Sequence, residues 1–211
     1  MYLVKSPKFL SKLTHSHLTW QLDKDRPFLY LTFDDGPIPG LTADILDILS
    51  EKKVQATFFH VGDNIRKHPR IFEHVRNNGH AVGNHTMHHL NGWRTPNLQY
   101  IKDIMEVDEY YKTRLFRPPY GRIKPSQVRL LRQYYQIVMW SVMSGDFDRL
   151  TSKEQCYQNV ANHIQAGAII VFHDNLKAKE NVLYALPRII DYAKNLGYEF
   201  KILGEDIGKI K

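Results

Sequence analysis

The chain has 211 residues, 43% of them hydrophobic and 24% charged, which is enough apolar material for the core of one globular domain. Its formal net charge of +7 would suit an acidic partner, but Lys and Arg are scattered instead of collected on one helix, so we expect no nucleic-acid binding. Cys156 is the only cysteine, which excludes a disulfide framework and a cysteine-based metal site. Any metal ion must therefore be held by His, Asp or Glu.

Targeting segments are not apparent in the sequence. The apolar stretches near the N-terminus are too short and too polar for a signal-peptide core, and no run approaches the length of a membrane span. For the chain as written we expect a soluble, cytoplasmic monomer with no membrane partner. A chain that had lost an export signal would show the same pattern.

The chain changes character near residue 27. Residues 1–26 lack a sustained period, and we interpret them as an N-terminal segment lying over the domain, with a short strand through Leu18, Trp20 and Leu22. From Phe28 onward, β-branched or aromatic runs alternate with segments of helical period, which predicts βα units and a mainly parallel sheet. We expect residues 27–211 to form one catalytic domain.

The alternation predicts the following elements. Strands are expected at 28–34, 56–61, 80–84, 137–142, 168–172 and 198–203, with an extended Leu115–Phe116 before a proline-rich turn. Helices are expected from about Thr42, which can cap the first one, and then over 71–79, 96–107, 127–134, 151–165 and 182–196. About seven such units predict an α/β fold, a closed or nearly closed barrel of parallel strands with its chemistry at the C-terminal strand ends.

Two adjacent carboxylates follow the first predicted strand. The β-prone run 29–33 stops at Asp34 and Asp35, and Gly36 and Pro37 end the strand there. Two like charges this close are costly to keep ionised unless a cation, a proton or an arginine separates their environments. The sequence therefore predicts an acidic pair at a strand end with a positive partner beside it.

The other polar residues that are hardest to explain as packing also follow predicted strands, and they are His85, His89, Arg117, Asp146 and His173. His85 and His89 are spaced i, i+4, so on a helical turn they would face one side and could bind one ion, whereas His85 and His88 are the alternative pair. With Asp35 as third ligand, two imidazoles and one carboxylate leave open positions, which is typical of catalytic zinc.

Four stretches resemble the motifs of the polysaccharide deacetylases built on the NodB homology domain, carbohydrate esterase family 4, and the resemblance spans about residues 28–203. Thr32–Pro37 matches T-F-D-D-G-P, and His85–His89 matches H-[ST]-x-x-H. Arg117–Tyr120 resembles R-x-P-[FY], and Val171–His173 approximates L-x-H. The resemblance implies a single deformed (β/α) barrel.

A further motif of the family is matched poorly. Asp146 stands where the family has an acid before a tryptophan, but Phe147 replaces the tryptophan and Met143 replaces an upstream acid often found there. The departure bears on the identity of the substrate more than on the type of reaction.

The resemblance implies a metal-dependent hydrolase that removes N-acetyl groups from an amino sugar polymer or oligosaccharide. Asp35, His85 and His89 would bind one divalent ion, with zinc expected and cobalt, nickel or manganese as alternatives. Such an ion polarises the acyl oxygen and lowers the pKa of a bound water to about 7.

The resemblance also assigns the catalytic roles. Asp34 would be the general base, held by the fixed cation of Arg117, and the backbone amide of Tyr120 would stabilise the oxyanion. His173, oriented and kept protonated by Asp146, would be the general acid.

Aromatic residues near this site could stack on sugar rings. Trp93, directly after the histidine motif, and Phe147 are the candidates for substrate contact, whereas Trp140 is expected to pack in the core. Three other functions stay open: an O-acetyl esterase, a hydrolase of non-sugar amides or cyclic imides, and a silent carbohydrate-binding protein. Asp34 and His173 together argue against the last, because a pure binder needs neither a base nor an acid.

Overall fold

One parallel sheet organises the domain. The computed structural model describes residues 3–6, 17–22 and 24–204. In these ranges nine strands belong to the sheet: β1 (Leu18–Thr19), β2 (Phe28–Asp34), β3 (Thr57–His60), β4 (Ala81–Asn84), β5 (Leu115–Phe116), β6 (Gln136–Val138), β7 (Val142–Met143), β8 (Ile169–His173) and β9 (Glu199–Phe200).

The strand order shows that the sheet curls on itself. The strands run β1-β6-β5-β4-β3-β2-β8-β7, with β9 beside β2, and every ladder between them is parallel. β6 and β7 lie near opposite ends of this order, yet only residues 139–141 separate them, a connection that spans at most about 14 Å. The two ends of the sheet must therefore approach each other, and the predicted deformed (β/α) barrel is confirmed.

Parts of the N-terminal segment join this sheet. Lys5 forms an antiparallel bridge with Val142, and β1 adds a parallel strand beside β6. Gln21 bridges Ala168 in the antiparallel sense. The described residues of the segment thus extend the sheet, and those at 7–16 lie outside the part of the chain that the structure describes.

Within the described residues, seven helices surround the sheet: α1 (Leu41–Glu51), α2 (Gly62–Lys67), α3 (Pro69–Asn77), α4 (Asn97–Glu106), α5 (Pro125–Leu131), α6 (Lys153–Ala161) and α7 (Lys179–Asn195). Two short 3₁₀ turns lie at Val107–Glu109 and Pro119–Gly121. None of the described helices has both the length and the apolarity that crossing a bilayer requires.

Two expectations about these elements were wrong, and one helix was missed. The strand predicted over 137–142 is two strands, because the chain leaves the ladder after Val138 to reach the other end of the sheet. Thr42 does not cap α1, which begins at Leu41 after Gly40 at φ 78°; its hydroxyl instead accepts a hydrogen bond from the Ile38 amide. Helix α2 was not predicted, since its six residues are too few to show a period.

Alternation along β2 and β8 separates the core from the barrel interior. Leu29, Leu31 and Phe33 pack with Ile170 and Phe172 into the cluster that includes the buried faces of α1 and α7. Residues of the other parity, among them Thr32, Asp34 and His173, therefore point into the barrel, because successive side chains of a strand face opposite ways. The ladder pairs Asp34 with His173, so the two lie side by side at the C-terminal strand ends.

Phe172→Ala tests the core. The Phe172 side chain is fully buried and stacks on Phe33 with ring centroids 6.1 Å apart, so its removal is expected to lower the free energy of unfolding by about 3–5 kcal/mol. Urea denaturation measures the loss. Leu150→Ala is the matched control, since Leu150 is 94% exposed, and it should change stability by less than about 0.5 kcal/mol. Equal losses in the two variants would contradict the assignment.

Candidate active site

A buried ion pair lies at the centre of the barrel mouth. Arg117 follows β5, is fully buried, and donates from Nη1 to Asp34 Oδ1 at 2.7 Å and to the Thr32 hydroxyl at 2.8 Å. Burial lowers the pKa of the guanidinium and the nearby Asp34 carboxylate offsets only part of this, but an arginine pKa starts so high that Arg117 keeps its charge. The positive partner expected for the acidic pair is therefore present at Asp34.

Backbone carbonyls complete the shell of Arg117. Its Nη2 donates to the Met139 carbonyl at 3.0 Å and its Nε to the Val138 carbonyl at 3.3 Å. The ring of Phe59 lies 4.1 Å from the guanidinium carbon. These carbonyls become available where β6 ends, so the break in the predicted strand 137–142 supplies acceptors for the arginine.

Asp35, His85 and His89 converge beside this pair. Asp35 Oδ1 lies 3.1 Å from His89 Nε2 and 3.6 Å from His85 Nε2, and one ligand atom from each residue falls within 4.8 Å of the others. Burial favours the neutral form of Asp35, but hydrogen bonds with the two imidazoles outweigh it and hold the pKa of the carboxyl well below its usual range. One carboxylate and two imidazoles suit a divalent metal ion.

The imidazoles are oriented by their other nitrogen atoms. His85 Nδ1 lies 2.8 Å from the Arg117 carbonyl, and this contact turns Nε2 towards Asp35. His89 Nδ1 lies 3.1 Å from the hydroxyl of Tyr120. Histidines that bind a metal ion through one ring nitrogen are usually oriented by a hydrogen bond at the other.

The histidine loop is not the helical turn that the spacing suggested. Residues 85–89 form an irregular loop in which Thr86 and His89 adopt φ 66° and 56°. His88 turns away from the site, with Nδ1 2.6 Å from Asp103 Oδ1. The structure thus brings His85 and His89, and not His88, to Asp35.

Asp103 holds this loop and was missed from the sequence. It lies on the buried face of α4, and its Oδ2 accepts hydrogen bonds from the Met87 amide at 2.9 Å and the His88 amide at 3.1 Å. An acid on the apolar face of a predicted helix is the signal that could have identified it.

Asp174 and Asn175 support the aspartate turn and were also missed. The fully buried Asp174 accepts from the Gly36 amide at 2.7 Å and from the Thr42 hydroxyl at 2.8 Å, and burial raises its pKa well above the usual range. Asn175 donates from Nδ2 to Asp35 Oδ2 at 2.5 Å. A Cβ atom at Gly36 would lie 1.9 Å from the Asp174 carboxylate, so only glycine fits there.

His173 and Asp146 form a second charged pair on the other side of Asp34. His173 Nδ1 lies 2.8 Å from Asp146 Oδ1, and the His173 amide donates to Asp146 Oδ2 at 2.6 Å. Burial lowers the pKa of the imidazole, but the charge and hydrogen bond of Asp146, together with the charges of Asp35 and Asp34, raise it overall to about 9. His173 is therefore protonated at neutral pH, and its Nε2–H is left for another acceptor.

The residues predicted to stabilise the oxyanion or to contact substrate differ in their solvent exposure and contacts. Within the described part of the chain, the Tyr120 amide donates to no other group, and the residue adopts φ 60°. Trp93 is 60% exposed, whereas Phe147 packs edge-on against His173 with centroids 4.9 Å apart. Trp140 is partly buried against the core, as expected.

Comparison with known proteins agrees with this geometry. The model of the family "Polysaccharide deacetylase" matches residues 21–137, and the chain belongs to this family. It is 30% identical over 196 residues to a peptidoglycan-N-acetylglucosamine deacetylase of Bacillus cereus, which covers 90% of this chain and 92% of the relative. It is 29% identical over 192 residues to the peptidoglycan-N-acetylmuramic acid deacetylase PdaA of Bacillus subtilis, a match that covers 84% of this chain and 70% of the relative.

A solved structure shares the whole fold. The crystal structure of a peptidoglycan N-acetylglucosamine deacetylase in complex with 4-naphthalen-1-yl-N-oxidanyl-benzamide superposes with a TM-score of 0.87 at 31% identity, over 94% of this chain and 95% of that chain. The resemblance to carbohydrate esterase family 4 expected from the motifs is thereby confirmed.

His88→Ala and His89→Ala separate the two ways of pairing the histidines. Loss of His89 removes one of three converging ligands and is expected to weaken metal binding by more than about 100-fold. His88→Ala should leave metal binding unchanged, because His88 contacts Asp103 instead. Zinc content after equilibrium dialysis measures both, with circular dichroism as the check on folding. Metal loss in His88→Ala alone would show that the pairing is wrong.

Proposed function

We propose that the chain is a metal-dependent hydrolase that removes N-acetyl groups from an amino sugar polymer or oligosaccharide. One observation carries the proposal: Asp34, which is salt-bridged to Arg117, and the protonated His173 are paired across neighbouring strands beside Asp35 and its two histidines. Environments that give titratable groups opposite charges in one site are typical of acid–base catalysis.

The converging ligands favour zinc. Two imidazoles and a carboxylate leave coordination positions open for water and substrate, and cobalt, nickel or manganese could take the same donors. When bound, such an ion polarises the acyl oxygen and makes water acidic enough to lose a proton near neutral pH.

Asp34 is suited to accept that proton. Its Oδ1 is engaged by Arg117 at 2.7 Å, so Oδ2 is the oxygen that we assign to the attacking water. The charge-assisted hydrogen bond from the buried guanidinium fixes the orientation of the carboxylate. Arg117 thus contributes to the reaction by holding the base, Asp34, close to the water and in the correct orientation.

The Tyr120 amide and His173 complete the proposed reaction. The amide is free to donate to an oxyanion, and a backbone donor held in place before the reaction needs no reorganisation. His173, tied to Asp146 through Nδ1, can donate the Nε2 proton to the leaving amine.

The relatives bear on the choice of substrate. Those named above are deacetylases of N-acetylglucosamine and of N-acetylmuramic acid in peptidoglycan, which supports an acetylated glycan substrate for this chain. An O-acetyl ester could react in the same site, but an alkoxide leaves more easily than an amine, so ester hydrolysis would depend less on His173.

Acetate release from N-acetylglucosamine oligomers, catalysed by the zinc-loaded protein, tests the proposed function. Asp34→Asn is expected to lower kcat by about 10² to 10⁴-fold with unchanged zinc content, because it removes a general base and no metal ligand. Asp35→Ala should lose both zinc and activity. If the zinc-loaded wild type releases no acetate from these oligomers or from peptidoglycan glycan, this substrate class is rejected and O-acetyl esters and non-sugar amides become the next assays.

The pH dependence of kcat/KM tests the acid. The reaction needs protonated His173, so activity is expected to be present below its pKa of about 9 and lost as the pH rises through that value. Asp146→Asn removes the carboxylate that raises this pKa, so the alkaline limb should move to lower pH. Asp148→Asn is the control, because its side chain accepts from the Leu150 amide and not from His173. An alkaline limb that Asp146→Asn leaves in place would contradict the role of His173.

A further inference from the structure

An exposed tryptophan is held rigidly beside the site. The indole of Trp93 is 60% exposed, yet its Nε1 donates to the Ile123 carbonyl at 3.2 Å and its amide to Asn91 Oδ1 at 3.1 Å. The indole nitrogen is therefore already satisfied, and the side chain has only apolar ring surface left to offer. An indole held in one orientation with its ring exposed can pack on the apolar face of a ligand with little loss of conformational entropy.

Trp93 and Arg122 lie on two loops, and together we call them the platform. A network of hydrogen bonds joins these loops. Gln127, at the buried face of α5, donates to the Gly92 carbonyl at 3.0 Å and accepts from the Lys124 amide at 2.9 Å. Lys124 in turn donates from Nζ to the Thr95 carbonyl at 2.8 Å. A Cβ atom at Gly92 would lie 2.4 Å from the Arg122 carbonyl, so the loops touch without room for a side chain. The orientation of Trp93 is thus set before any ligand arrives.

The two chain segments that carry Trp93 and Arg122 contain basic residues and no acidic ones. The guanidinium carbon of Arg122 lies 5.4 Å from the centroid of the Trp93 ring, and Arg122 is exposed. Among the residues that the structure describes, no carboxylate pairs with it. Residues 110–145 contain seven Lys or Arg and no Asp or Glu. Residues 90–102 contain two Lys or Arg and likewise no Asp or Glu. An anion at this surface would meet no carboxylate from either segment.

Trp93 and Arg122 each follow a residue of the proposed catalytic centre closely in the chain. Tyr120 packs its ring on His89 with centroids 4.7 Å apart, and Arg122 follows two residues later, within about 7 Å along the chain. Trp93 follows His89 by four residues. A sugar polymer with one residue at the centre could therefore place a neighbouring residue over Trp93.

We propose that Trp93 and Arg122 form a subsite for a carboxylate-bearing sugar next to the acetylated one, an inference that rests on the proposed function. The apolar face of the sugar ring packs on the indole, and the guanidinium donates two parallel hydrogen bonds to the carboxylate. The cation–π contact with Trp93 holds Arg122 near its bound position, which reduces the entropy lost on binding. The enzyme is thus selective for an anionic glycan over a neutral one.

Two forms of one glycan test the subsite. The ligands are deacetylated oligosaccharides of alternating glucosamine and muramic acid, with the carboxylates either free or converted to amides. They can no longer release acetate, so calorimetry can measure their Kd on the wild-type, zinc-loaded protein without turnover. We expect the carboxylate form to bind on the order of tenfold more tightly, as one charge-assisted pair at an exposed site allows.

Three variants identify the residues responsible. Arg122→Gln should abolish the preference by weakening only the carboxylate form, whereas Trp93→Leu should weaken both forms because ring packing does not depend on charge. Arg129→Gln, which removes an exposed arginine of α5, is the matched control and should retain the preference. Added salt should reduce the preference of the wild type.

The outcomes separate this proposal from the proposed function. Equal affinity for the two forms, a preference that survives Arg122→Gln, or one that is lost equally in Arg129→Gln would overturn the subsite, even if the acetate assay succeeds. A preference that depends on Arg122, in a protein that releases no acetate from any glycan, would support the subsite and reject the deacetylase. Loss of binding of both forms in Arg122→Gln would indicate that the arginine only supports the loop.

Discussion

The buried ion pair between Arg117 and Asp34 is the interaction on which the rest of the site depends. A charge taken out of water is costly unless partners replace the lost solvation, and four oxygen acceptors around the guanidinium do so. Two of them, the carbonyls of Val138 and Met139, exist as acceptors because β6 ends there. The break that carries the chain across the barrel and the solvation of the arginine are thus the same feature.

The same arginine connects the base to the metal ligands. Its side chain fixes Asp34, and its carbonyl contacts His85 Nδ1 and so sets which nitrogen of that ring faces Asp35. One residue therefore orients both the proposed base and one proposed ligand. A site built this way keeps the relative positions of its parts without relying on loop rigidity alone.

Three aspartates close together in the chain or in space have three different environments. Asp34 faces a guanidinium, Asp35 faces two imidazoles, and Asp174 is sealed behind the Gly36 turn, where its oxygens accept from an amide and a hydroxyl. Burial raises the pKa of Asp174, whereas the imidazoles lower that of Asp35. Separate partners let neighbouring acids take separate roles.

Backbone strain is concentrated in this region. Of the five non-glycine residues with positive φ in the described chain, all except Lys53 belong to the site, namely Asp35, Thr86, His89 and Tyr120. Such conformations persist only where the surroundings enforce them, and Asp103 and Asn175 are among the residues that do so. The strained positions present ligands and an amide that a regular strand or helix would turn elsewhere.

Periodicity and short motifs predicted the parallel barrel, both ends of the first strand, and the family, because such patterns depend on residues that are neighbours in the chain. The sequence by itself could not show that residues 137–142 divide between two ends of the sheet, that 85–89 is a loop instead of a helical turn, or that Asp103 and Asp174 support the site. Those features depend on contacts between residues distant in the chain, and no local pattern records them. Only the tertiary structure placed the Arg117 carbonyl at His85 and Trp93 against Arg122, because each contact joins separate loops that meet only when the barrel curls.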